Sequence, residues 1–139
     1  MSEVDRLRQF VGKLLLTWSI VSIIIGLLFY YSSSVTILNG IGLQVLIWGA
    51  IDSVIALSIL FKQKEQSIEK IAKTVSTSIR FDIVFVIVGI IIVIAFLQNP
   101  FFMGNGMGVI IQGFYLLLLD SSYLKSLRNL KRETRLQNL

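Results

Sequence analysis

Four stretches of this chain carry almost no charge: Leu14–Tyr31, Ile41–Phe61, Phe81–Leu97 and Phe101–Leu119, each dominated by Ile, Val, Leu and Phe. A helix needs roughly 20 predominantly apolar residues to cross the hydrocarbon of a bilayer, and all four runs reach or approach that length. The pattern predicts an all-α chain, a polytopic membrane four-helix bundle in one domain. Strands are excluded, because the runs are too long and lack the apolar/polar alternation of a membrane barrel. A cleaved signal peptide does not fit either. The first run is long, acids precede it, and Ser32-Ser33-Ser34 after it is a poor small-residue cleavage site.

The flanks of these runs have a different period. Val4, Leu7, Phe10, Val11 and Leu14 form one helical stripe, and Ser2 with Asp5 matches a capping box. In KQKEQSIEKIAKTVSTSIR, residues 62–80, Ile68, Ile71, Ala72, Val75 and Ile79 fall on one face with charges between them. That segment predicts an amphipathic helix, lying on the inner surface or continuing a membrane helix outward. Leu124, Leu127 and Leu130 extend the fourth run in the same way. The organisation is then a first hairpin with its amphipathic start (1–61), an amphipathic cytoplasmic linker (62–80), a second hairpin (81–124) and a basic tail (125–139).

Charge orients the bundle. All thirteen basic residues fall before the first run, between the second and third, or after the fourth, while the connections SSSVTILNG and QNPFFMGNG carry none. Basic residues stay on the cytoplasmic side, so both termini and the linker are expected inside, in a cell or cytoplasmic membrane. The net charge of +5 then suits anionic lipid headgroups and not nucleic acid. Phe29, Tyr30, Tyr31, Phe101 and Phe102 gather at the opposite ends, as an interfacial aromatic belt does. Only 15% of residues are charged, against about 25% in soluble domains. With no Cys and no His, disulfides, thiol catalysis and ligation of zinc or haem by those residues are excluded. No enzyme, metal site or cofactor is expected.

The two halves look alike. LQVLIWGAIDS and IQGFYLLLLDS align Gln44 with Gln112, Asp52 with Asp120 and Ser53 with Ser121, and IVSIIIG (20–26) aligns with IVFVIVG (83–89). NGIG at 39–42 and NGMG at 105–108 follow with a two-residue slip. This predicts a tandem duplication of a two-helix hairpin. An even helix count keeps both halves in the same orientation, a parallel repeat and not an inverted one.

The W-G-x-I-D run (Trp48, Gly49, Ile51, Asp52) and the Q-G-x6-D run (Gln112, Gly113, Asp120) resemble an uncharacterised family of small prokaryotic four-helix integral membrane proteins. The resemblance spans most of the chain; it implies the four-helix membrane fold and no known activity. Small fluoride channels are similar in size. Their glycine-rich, arginine-bearing first helix is missing here, and their inverted dimer conflicts with the orientation bias.

An aspartate inside an apolar run needs a reason. At the bilayer centre it costs about 2.5–3.5 kcal/mol on insertion scales, so it turns toward a bundle interior or a water cavity. Gln44, Trp48 and Asp52 share one helix face, and Gln112, Leu116 and Asp120 repeat that spacing. Ser22, and Ser19 nearby, are the expected hydrogen-bond partners of Asp52 at its depth. Asp52, Asp120, Gln44, Gln112 and Ser22 are thus candidates for binding a proton or cation. Asp82 and Asp120 lie nearer the inner edge, where pairing with Arg80 or Lys13 is expected. Gly104-Asn-Gly-Met-Gly lacks the strand and lysine of a phosphate loop and is read as part of the outer turn. Ser22-x-x-x-Gly26 and Gly104-x-x-x-Gly108 suit close helix contacts.

Two functions stay open. One is a small oligomeric channel or transporter with Asp52 as the binding acid. The other is a membrane scaffold, assembly or regulatory subunit in which Asp52 is structural glue. The orientation is testable at once, because the chain has no cysteine. A single Ser33→Cys should react with impermeant maleimide from outside the cell, and labelling from the cytosol alone would reverse the topology.

Overall fold

In a computed structural model, which describes residues 1–62 and 66–139, the chain forms four helices: α1 (Glu3–Ser32), α2 (Thr36–Phe61), α3 (Ile68–Ala95) and α4 (Pro100–Gln137). All four are long and apolar enough to cross a membrane. Their ends follow local chemistry. Ser2 and Asp5 cap α1 reciprocally, Ser67 caps α3, and Asn99 caps α4 ahead of Pro100 at the first helical position. The amphipathic flanks are continuous with the membrane-length segments, so α1, α3 and α4 run through to the basic end. Residues 63–65 of the linker lie outside the described residues.

Two boundaries differ from the sequence reading. The helices α2 and α4 start at Thr36 and Pro100, so NGIG and the Gly104–Gly108 run are helical, and neither is a turn. Glycine and asparagine punctuate a chain when read locally. Here no glycine has a positive φ. Their role is the missing Cβ.

That absence sets the packing. Each hairpin packs on itself, α1 on α2 and α3 on α4, and the hairpins join through α2 and α4. The helices α2 and α3 follow one another in the chain but do not pack side by side. A Cβ on Gly40 would run into the Phe101 carbonyl oxygen, and one on Gly104 into the Ile37 carbonyl oxygen. The contact is reciprocal, and both pairs of partners, Gly40 with Gly104 and Ile37 with Phe101, are 64 residues apart. Within the hairpins the scheme recurs. Gly26 abuts Leu46 and the Gly42 carbonyl, and Gly89 abuts Ile110 and the Gly106 carbonyl. Gly49 meets the Ser19 carbonyl, and Gly113 the Asp82 carbonyl. By these contacts, α2 corresponds to α4 at an offset of 64 and α1 to α3 at 63. The α2–α4 offset differs by four residues, about one helical turn, from the 68 that aligns Gln44 with Gln112 and Asp52 with Asp120.

The basic end is held differently, by an apolar cluster of Val11, Leu15, Ala56, Ile71, Val75, Leu119, Tyr123 and Leu127. Beyond it Lys131 Nζ donates to Glu69 at 2.6 Å, joining the start of α3 to the end of α4.

Backbone against backbone cannot relax as side chains do. Gly104→Ala gains up to about 1 kcal/mol of helix propensity but overpacks a site where overpacking costs about 1–3 kcal/mol or more. We expect it to unfold at lower denaturant in detergent than the native chain. Gly12→Ala, whose Cβ would first meet side-chain atoms of Leu60 and Ile59 and not backbone, should change stability far less. Equal effects at the two sites would contradict this account.

Candidate functional site

The polar side chains of the bundle divide into two groups. The first is fully connected. Trp18 on α1 donates from Nε1 to Gln112 Oε1 at 2.8 Å, and Gln112 donates from Nε2 to Ser22 Oγ at 3.2 Å. The Trp18 ring also stacks on Tyr115, with centroids 3.8 Å apart and planes at 7°. Nearer the uncharged end Gln44 donates to Asn105 Oδ1 at 3.0 Å, and Asn105 donates to the Phe101 carbonyl of its own helix at 2.8 Å. These bonds tie α4 to α1 and to α2.

The second group consists of acids. Asp52 is buried, 1% exposed, and neither carboxylate oxygen has a hydrogen-bond partner. Asp82 on α3 is also buried, and its Oδ2 has no partner. Asp120 on α4 borders the same cavity as both.

The three acids line one cavity of about 450 Å³. It occupies the crevice left where α2 and α3 fail to pack, with α4 and the start of α1 completing its wall. Trp48 and Phe85 meet edge to face across it, centroids 4.9 Å apart. Tyr123 contributes another ring, and Arg8 and Lys62 lie on the basic-end side. Asp52 belongs to this wall, with its oxygens closed to solvent.

Several expected contacts are replaced by others. Ser22 and Ser19 do not hold Asp52. Ser19 turns its hydroxyl onto the Leu16 carbonyl of its own helix at 2.7 Å, and Ser22 accepts from Gln112. Gln44 and Gln112 join helices and do not touch the acids. No ion pair among the described residues joins Asp82 or Asp120 to Arg80 or Lys13. Both cations are exposed, and Arg80, two residues from Asp82, projects from a different side of α3. Among the described residues, Arg8 pairs with Asp5 at 3.3 Å and Lys131 with Glu69.

Sequence reasoning missed Trp18, Asn105 and Tyr123. Asn105 was hidden by the turn reading of its glycine-rich segment. A tryptophan on an apolar helix gives no sign of where its N–H points.

These observations define the protein as a glycine-packed bundle of four membrane-length helices with an acid-lined internal cavity. The chain belongs to the family of unknown function DUF6992, whose profile matches residues 14–121. The match covers Asp52, Asp82, Asp120 and both glutamines. No curated protein and no solved structure matches the chain.

Gln112→Leu removes two interhelical hydrogen bonds. Such bonds are worth about 0.6 kcal/mol each within membranes, so a loss of roughly 1 kcal/mol is expected in reversible detergent unfolding. In a Trp48→Phe background, leaving Trp18 as sole tryptophan, the same change should shift the emission maximum. Unchanged emission would mean that Trp18 does not donate to Gln112.

Proposed function

We propose that this chain is an integral membrane protein, basic end in the cytoplasm against anionic headgroups, which binds a proton or a cation at Asp52 as part of a small oligomeric channel or transporter. One observation carries the reading: Asp52 is buried beside a cavity with both oxygens unpartnered. An acid used as glue would be hydrogen-bonded, because an unsatisfied buried polar group costs about 1–3 kcal/mol, and more if charged. The glue role is filled by Gln44, Asn105, Trp18, Gln112 and Ser22. That favours a binding acid over the scaffold reading.

The recurring glycine contacts support an ancestral hairpin duplication at the 64-residue offset. They also bear on oligomerisation. We take the backbone contact of α2 with α4, toward the uncharged end, to bar a through-path from the cavity within one copy. A path across the membrane then requires helix movement or a second copy, and a homo-oligomer is the simpler arrangement.

The test is reconstitution. Liposomes carrying the native chain should show proton or cation flux that Asp52→Asn lowers at least tenfold, with circular dichroism and melting temperature little changed. Equal flux from native and Asp52→Asn vesicles would overturn the assignment of Asp52 as the binding group.

A further inference from the structure

The cavity's walls narrow the class of cation. An inorganic ion is held by several converging oxygens, and a divalent metal by a close set of carboxylates. Among the described residues no group of three or more acidic, histidine or cysteine side chains is arranged to hold a metal ion. The cavity is also far larger than a bare ion needs: about 450 Å³ lies in the range of roughly 300–1,000 Å³ of small-molecule sites. Its distinctive wall is aromatic. Trp48 and Phe85 stand edge to face over the same space that Asp52 borders, and ring faces attract cations within about 6 Å of their centroids.

The aromatic pair marks this crevice out. By the offsets of the glycine contacts, Trp48 corresponds to Gln112 and Phe85 to Ser22. At that level the crevice between α4 and α1 is bridged by the Gln112–Ser22 hydrogen bond, with a separate cavity of about 360 Å³ between α1 and α4 nearer the basic end, whereas the corresponding level between α2 and α3 is lined by two rings. Asp52 and Asp120 correspond to Leu116 and Ala56 on the same basis. The three acids are thus concentrated in the cavity that the Trp48–Phe85 pair lines, and the α1–α4 cavity has none.

We infer that the α2–α3 cavity takes an organic ammonium ion with an apolar body, its body against Trp48 and Phe85 and its charge toward Asp52. This rests on the reading of Asp52 as a binding acid and adds the substrate class. Asp82 and Asp120, on the wall of the same cavity, supply further negative potential without needing to contact the ligand. Arg8 and Lys62, on the basic-end side, oppose entry of a highly charged cation and favour a monovalent one with a buried apolar part.

The probe is benzyltrimethylammonium, titrated into the purified full-length protein in detergent and followed by calorimetry and tryptophan fluorescence. Saturable binding is expected, with neutral benzyl alcohol binding at least tenfold more weakly. Trp48→Leu and Phe85→Leu should each weaken binding of the ammonium at least tenfold, and Asp52→Asn should abolish it. The two ring variants keep the test open should Asp52→Asn misfold. Asp52-dependent flux of protons or inorganic cations without any benzyltrimethylammonium binding would overturn this inference and leave the reading of Asp52 standing. Benzyltrimethylammonium binding unaffected by Asp52→Asn, Trp48→Leu and Phe85→Leu would place the ligand elsewhere and overturn the inference.

Discussion

The contact of helix backbone with helix backbone is the constraint from which the rest of this structure follows. Gly40 against Phe101 and Gly104 against Ile37 bring α2 and α4 together with no side chain between them. In an apolar surround, packing gains nothing from excluding water, so close van der Waals approach supplies the attraction. Gly26 with Gly42 and Gly89 with Gly106 do the same within each hairpin. Once those three seams are fixed, the register of every other residue is fixed with them. The basic end has no such seam between α2 and α4, and there bulky side chains and a cavity take the space.

Register explains the division of polar labour. Gln112 falls where Trp18 and Ser22 can both reach it, and Gln44 falls opposite Asn105. Asp52 is one turn closer to the basic end than Trp48, and borders the cavity rather than a serine of α1. It therefore reaches neither serine, although Ser19 lies at a suitable depth. Gln44 and Gln112, which share a helix face with Asp52 and Asp120 in the sequence, belong to the scaffold. The aspartates belong to the cavity.

Much of the fold was legible. Four apolar runs and three amphipathic flanks gave four helices, and the Ser2–Asp5 cap and the extension of α4 to Gln137 matched as well. The burial of Asp52 followed from its cost alone. What failed was what depends on partners. Helical serines can satisfy themselves on the preceding turn, as Ser19 does, so proximity in depth did not predict a bond. The repeat was matched on Gln and Asp at an offset of 68, whereas the packing follows 64. A shift of four residues is close to one turn of 3.6, so both alignments keep nearly the same face. Only the glycines, which record where another backbone passes, distinguish them. Read locally, the Gly104–Gly108 run fell in the outer turn, because glycine's missing Cβ and its conformational freedom look identical in a string of letters.

The difference between the two crevices is the last consequence of that register. A seam that repeats at 64 residues would, with identical side chains, create two equal grooves, one between α1 and α4 and one between α2 and α3. At the first, Ser22 and Gln112 are short or flexible enough to meet and bond. At the second, Phe85 and Trp48 are rigid rings that meet only at their edges, and two flat groups in that geometry cannot fill the space behind them. The void behind the rings is where Asp52, Asp82 and Asp120 gather. An open space and an unsatisfied acid are each costly, by lost dispersion contacts and by desolvation. The α1–α4 groove also holds a cavity, but an apolar one bridged at one level by Gln112 and Ser22, so the unsatisfied acids and their desolvation cost are gathered at the α2–α3 site.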